Sequence, residues 1–162
     1  MRKLSIHEDD EGLIQLEPLS NYDVYSDSKW DFENAQVYSP ADETQPLSKF
    51  LSFVQVQNIV SSIFDPFDEL LTGYGNHIEK INSAIAYGES KNCAIVIEYD
   101  KEQLLKSVWF LLGALSSLQQ EKMSLFFAKV SSFGCFLLSD MAFGFQCRID
   151  EVGILSKYLS EV

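Results

Sequence analysis

Carboxylates and aromatic side chains alternate between residues 22 and 33, and this is the stretch of the chain best suited to bind a partner. Over residues 24–32 every second residue falls on the same side, so that Trp30 and Phe32 share one face of a predicted strand while acids share the other. Aromatic rings supply contact area and carboxylates attract basic groups. The predicted partner-binding residues are Tyr22, Asp23, Tyr25, Asp27, Asp31 and Glu33.

Metal and triad chemistry would need histidines or cysteines at recognisable spacings. The chain has two histidines, His7 and His77, and it contains neither a C-x-x-C nor an H-E-x-x-H motif. We therefore expect solvent-facing histidines, no catalytic residue, no metal ligand and no bound cofactor.

Asp65, Asp68 and Glu69 are close enough in sequence to act as paired catalytic carboxylates or metal ligands. A helix start would account for the same residues, because Asp is a good N-cap, proline suits the first helical position and acids favour the first turn. We expect the helix start. Similarly, residues 73–76 (GYGN) are expected to end one helix and begin the next, since a phosphate loop would follow a strand.

The distribution of charge limits the class of partner. The chain carries 24 acidic and 12 basic side chains, a net charge of −12, and residues 1–45 contribute −8 of it from eleven acids and three bases. Such a surface repels nucleic acid and anionic membranes and attracts a basic protein. The run Glu8 to Glu11 is expected to be a frayed, solvated end.

Composition indicates one folded domain in a reducing compartment. Hydrophobic residues make up 46% of the 162 residues, which is enough for a core. Cys93, Cys135 and Cys147 lie in apolar stretches and are expected to be buried free thiols. The acids near the start of the sequence leave no apolar signal segment, so a cytoplasmic location is expected.

The pattern of apolar residues predicts an α+β fold, a mixed and mainly antiparallel sheet with packed helices, in a single domain over 1–162. Residues 1–46 are predicted to be an acidic strand and loop region, and 47–88 a helical region. Residues 93–162 are predicted to form a β-α-β-β-β-α core. In that core, strand 93–99, a buried helix over 101–119 and strand 123–130 would form a parallel crossover, with Val108 and Leu112 inside.

These observations favour a small acidic binding protein that neutralises a basic partner. Immunity proteins of bacterial nuclease toxins are small, acidic, cytoplasmic and free of catalytic motifs, and this chain is similar in those respects. A secretion chaperone and a DNA-mimic inhibitor are alternatives, because such proteins are also small and acidic. A carboxylate-dependent hydrolase is the further alternative, since carboxylates alone can hydrolyse glycosides. The oligomeric state is left open.

Overall fold

The structure, a computed structural model, describes residues 1–25 and 37–162, and for Val24, Tyr25 and Val37 it describes only the backbone. The described strands are β1 Lys3–His7, β2 Ile14–Pro18, β3 Tyr22–Tyr25, β4 Val37–Pro40, β5 Glu69–Tyr74, β6 His77–Lys80, β7 Ala84–Ser90, β8 Cys93–Tyr99, β9 Leu105–Leu112, β10 Phe136–Asp140 and β11 Phe145–Arg148. The described α-helices are α1 Phe53–Ser61, α2 Ser117–Ser131 and α3 Val152–Glu161.

Six strands form a central antiparallel sheet in the order β11-β10-β2-β9-β8-β7. A smaller sheet has the order β1-β5-β6, in which β1 runs parallel to β5 and β6 antiparallel to it. β3 and β4 pair as a separate antiparallel hairpin. The sheets are therefore mixed and mainly antiparallel, and together with the helices they make one compact α+β domain, as the sequence predicts.

The central sheet is covered on both faces, and this explains the continuous apolar strands. One face of β8 and β9 contributes Ile95, Ile97 and Phe110 to a core shared with the three helices. The other face contributes Val96 and Trp109 to a second core against the small sheet. Side chains alternate along a strand, so a strand between two cores must be apolar at every position.

Strand 93–99 is confirmed, but the helix over 101–119, the strand over 123–130 and the parallel crossover that would join the two strands are wrong. Residues 105–112 form strand β9, which pairs antiparallel with β8, so there is neither a helix over 101–119 nor a parallel crossover. Residues 123–130 lie in helix α2, which begins at a capping box between Ser116 and Gln119. The observed order over 93–162 is β-β-α-β-β-α. Val108 is buried as predicted, whereas Leu112 is only partly buried.

The predicted helical region 47–88 contains one α-helix, α1, followed by the strands β5, β6 and β7. Gly75 and Asn76 form the two-residue turn between β5 and β6, with Gly75 at a φ of 59° that glycine adopts without strain. The predicted helix start at Asp65 is also wrong. Asp68 instead accepts a hydrogen bond from the backbone N–H of Arg2, and Glu69 pairs with Lys3 at 3.1 Å.

Among the described residues, no helix is both long and apolar enough to cross a membrane. The cysteines are free, but only Cys93 and Cys147 are buried as predicted, whereas Cys135 is exposed. Burial raises the pKa of the Cys93 thiol to about 11 and that of Cys147 to about 12, so both are protonated at neutral pH.

Candidate functional site

The structure describes only some of the predicted binding residues. Asp23 in β3 is exposed, as predicted for a binding residue. Tyr22 is half-buried, and its hydroxyl donates to Glu17 Oε2 at 2.6 Å, so this ring packs toward the central sheet. The Tyr25 side chain and the residues Asp27, Asp31 and Glu33 lie outside the described residues and stay predictions.

Tyr22 belongs to a polar network that joins the β3–β4 hairpin to the central sheet. The hydroxyl of Ser139 in β10 also donates to Glu17 Oε2, and Gln146 in β11 donates to the Ser139 hydroxyl at 2.8 Å. Burial and the Glu17 carboxylate raise the pKa of Tyr22 to about 12, so the phenol is protonated and donates at neutral pH. The network thus uses the Glu17 carboxylate to anchor the hairpin.

Four consecutive acids, Glu8 to Glu11, form an exposed turn between β1 and β2, which we call the acidic turn. It is not a frayed end, because residues Glu8–Asp10 are a 3-10 helix and His7 Nδ1 accepts a hydrogen bond from the Asp9 N–H at 3.2 Å. His7 also packs edge-on against Tyr74. The fold therefore holds these carboxylates together at one place on the surface.

The pKa of Glu11 indicates the sign of the electrostatic potential at the acidic turn. Its carboxylate accepts a hydrogen bond from the Thr72 hydroxyl in β5. Partial desolvation raises the pKa of Glu11, and the neighbouring acids Glu98 and Glu8 raise it further. Every charged neighbour that shifts this group is an acid, so the turn lies in a region of negative potential, where a basic partner would be attracted.

An open cavity of about 220 Å³ lies beside the acidic turn. Its apolar lining comes from the start of β2 and the residue before it, from the end of β9 and from the β10–β11 turn, including Leu13, Leu112 and Phe143. Asp10 from the acidic turn and Lys91 from the β7–β8 turn also line it. Apolar and charged groups thus meet at one end of the central sheet, an arrangement found where proteins dock.

A second cavity, of about 330 Å³, is polar, and its two basic side chains are satisfied internally. Arg2 donates to the carbonyl oxygens of Pro66 and Gly88, both at 2.7 Å, and Lys122 pairs with Glu89. Because these cations already have partners, a ligand would have to displace existing contacts. This cavity is the weaker candidate.

Within residues 1–25 and 37–162, no group of three histidine, cysteine or acidic side chains is placed to hold a metal ion. His7 and His77 are both exposed, as the sequence predicts. His77 begins strand β6 rather than a helix.

Comparisons of the chain with family models, with curated proteins and with solved structures gave no match. The function therefore has to be argued from the geometry of the chain itself.

Sequence reasoning missed the apolar cavity because its parts come from four separate stretches of chain. One local signal was present. Met141, Ala142 and Phe143 are three consecutive apolar residues in what the structure shows to be the tight turn between β10 and β11, where polar residues are usual. Apolar residues in such a turn indicate either burial or contact with a partner.

Proposed function

We propose that this protein binds and neutralises a basic partner protein in the cytoplasm, in the manner of an immunity protein acting on a nuclease toxin. The observation that carries the proposal is the acidic turn. Four exposed carboxylates are held in one short turn, and the charged groups that act on Glu11 are further acids. Carboxylates kept close together are electrostatically costly, and among the ion pairs of the described residues only His7 lies near them, with Nδ1 at 3.5 Å from Asp9 Oδ2. A basic partner would supply the missing compensation.

The overall charge supports the same proposal. Residues 26–36 hold three of the acids and one of the bases, which leaves 21 acids and 11 bases on the described residues, a net charge of −10. A surface of this sign attracts a basic protein at long range and raises the association rate.

The secretion chaperone is the second candidate, and the exposed side chains of Met141 and Phe143 favour it. A chaperone of this kind uses apolar surface to hold an extended client. The two functions differ in their salt dependence. High salt weakens the binding of a basic partner, whereas it does not weaken the binding of an apolar client.

The test begins with the partner. The full chain is immobilised and used to purify binding proteins from its native host, and the product of the neighbouring gene is expressed and assayed in parallel. We expect one basic protein that is toxic when expressed alone and harmless when co-expressed with this chain. The absence of any basic protein that meets these conditions would overturn the proposal.

The site is then tested by stopped-flow binding of that partner across a salt series. One variant carries lysine at Glu8, Asp9 and Asp10, a second at Asp27, Asp31 and Glu33, and a control at the exposed acids Asp42, Glu43 and Glu121, so that all three change the net charge equally. We expect the acidic-turn variant to slow association more than the control. The difference should vanish near 1 M salt, where the screening length is about 3 Å. The second variant tests the predicted strand 24–32 directly.

A further inference from the structure

We infer that the 220 Å³ cavity beside the acidic turn is the anchor site for one large apolar side chain of the basic partner. We call it the Phe143 pocket and define it by Asp10, Leu13, Lys91, Leu112 and Phe143. This inference rests on the proposed function and names the surface that the partner would contact.

The backbone of the turn that carries Phe143 is held by hydrogen bonds. Asp140 is 1% exposed, and its Oδ1 accepts hydrogen bonds from the backbone N–H groups of Ala142 at 2.9 Å and Phe143 at 3.1 Å. The N–H of Met141 donates to the Leu13 carbonyl at 2.8 Å. A buried carboxylate and a neighbouring strand thus fix the turn before any partner binds.

This turn displays two large apolar side chains to solvent. Met141 is 61% exposed and Phe143 is 70% exposed, although both are large and apolar. Because hydrogen bonds fix the backbone of this turn, binding does not have to order it, which is the advantage of a preorganised interface. Apolar anchors within a rim of charged groups are the usual arrangement of binding hot spots.

The charges around the pocket indicate the chemistry of its occupant. Asp10 joins the pocket to the acidic turn, so a partner segment with a lysine or arginine beside an apolar side chain would satisfy both features. Lys91 has no ion pair within the described part of the chain and is available to an acid of the partner. A second copy of this chain would bring like charges together at the acidic turn.

The size of the cavity is consistent with a side chain. Cavities that take drug-sized ligands measure roughly 300–1,000 Å³, and this one measures about 220 Å³. One aromatic or branched apolar side chain is therefore a better match than a free cofactor.

The first experiment uses a defined probe and does not need the natural partner. The blocked hexapeptide Lys-Lys-Leu-Trp-Lys-Lys is titrated into the isotope-labelled full chain, with Lys-Lys-Ser-Ser-Lys-Lys as a control of equal charge. We expect amide shifts at Leu13, Lys91, Leu112 and Phe143 with the first peptide only. Equal shifts with both peptides, shifts centred elsewhere, or no shifts would overturn the inference.

The second experiment separates the pocket from the function. With the basic partner, Phe143→Ala should raise the dissociation rate at least tenfold. Phe133→Ala, at a 43% exposed aromatic in the connection between α2 and β10, should leave it unchanged. If Phe143→Ala matches Phe133→Ala while the acidic-turn lysine variant still slows association, the pocket is wrong and the proposed function stands. If no basic partner binds the wild-type chain, the proposed function is wrong. Thermal melts confirm that each variant is folded.

Discussion

The hydroxyl of Tyr158 in α3 donates to Asp140 Oδ2 at 2.6 Å in the interior, while Asp140 Oδ1 holds the β10–β11 turn. One buried carboxylate thus links the last helix to the turn that displays Phe143. Burial and the contact with Asp140 raise the pKa of Tyr158, so it remains a donor across the physiological range. The Tyr158 ring also stacks on Phe145 at 4.7 Å between centroids, which fixes the position of the hydroxyl.

Tyr158→Phe should destabilise the fold without disturbing this ring stack. The substitution leaves a buried carboxylate oxygen without its donor, which costs about 1–3 kcal/mol, or more for a charged group. Tyr99→Phe is the matched control, because it removes an exposed hydrogen bond to the Asn82 carbonyl. Urea denaturation measures the free energy of unfolding of both variants. Equal losses would show that the hydrogen bond to Asp140 contributes no more to stability than the exposed one.

Alkaline pH should destabilise the protein. In the folded state the pKa values of Tyr22 and Tyr38 are raised from 10.0 to about 12, in both cases chiefly by burial. Between pH 10 and about pH 12 the unfolded chain therefore releases the protons of these two phenols, whereas the folded chain keeps them. Stability therefore falls as pH rises above 10, by up to about 1.4 kcal/mol per pH unit for each proton. Unfolding in urea at pH 8 to 11 with reductant present measures the slope, and a flat profile would contradict the burial of these phenols.

Glu11→Gln should stabilise the protein slightly at neutral pH. The folded-state pKa of Glu11 is raised, so its ionised form costs stability as pH rises through and above 4.5. Glutamine removes the repulsion from Glu8 and Glu98 yet keeps an oxygen for the Thr72 hydroxyl. We expect a gain of no more than about 0.5 kcal/mol, typical of surface sites, that fades near pH 3 and in high salt. A gain unaffected by pH would point to a cause other than charge.

The sequence predicts the fold class and several elements, but a continuous apolar run fits a buried helix and a strand buried on both faces equally well. Residues 104–118 place leucine and valine at helical spacings, yet 105–112 form a strand buried on both faces, for which continuous apolar sequence is equally typical. The deciding local signal was the capping box at Ser116 and Gln119, which places the helix start at Ser117, after the end of β9 at Leu112. Likewise, Gly75-Asn76 is a hairpin signal that outweighs the apparent cap at Asn76.

The candidate site was harder to predict from the sequence than the fold was. The acidic turn is visible as a run of acids, but the run does not reveal that Asp10 lines an apolar cavity. That cavity depends on β2 pairing with both β9 and β10, which are about a hundred residues further along the chain. Pairings at this separation depend on the tertiary fold, so a single sequence does not indicate them.

Substitutions in β9 should distinguish the buried strand from the predicted helix. Phe110 is 1% exposed and lies 5.1 Å from Phe127 between ring centroids, so Phe110→Ala should cost about 3–5 kcal/mol. On a buried helix, Leu112→Ala would cost about 2–5 kcal/mol. In the structure Leu112 is half-buried and lines the Phe143 pocket, so about 1 kcal/mol is expected instead. Urea denaturation of both variants measures the difference, and a Leu112→Ala loss as large as that of Phe110→Ala would contradict an open pocket at this end of β9.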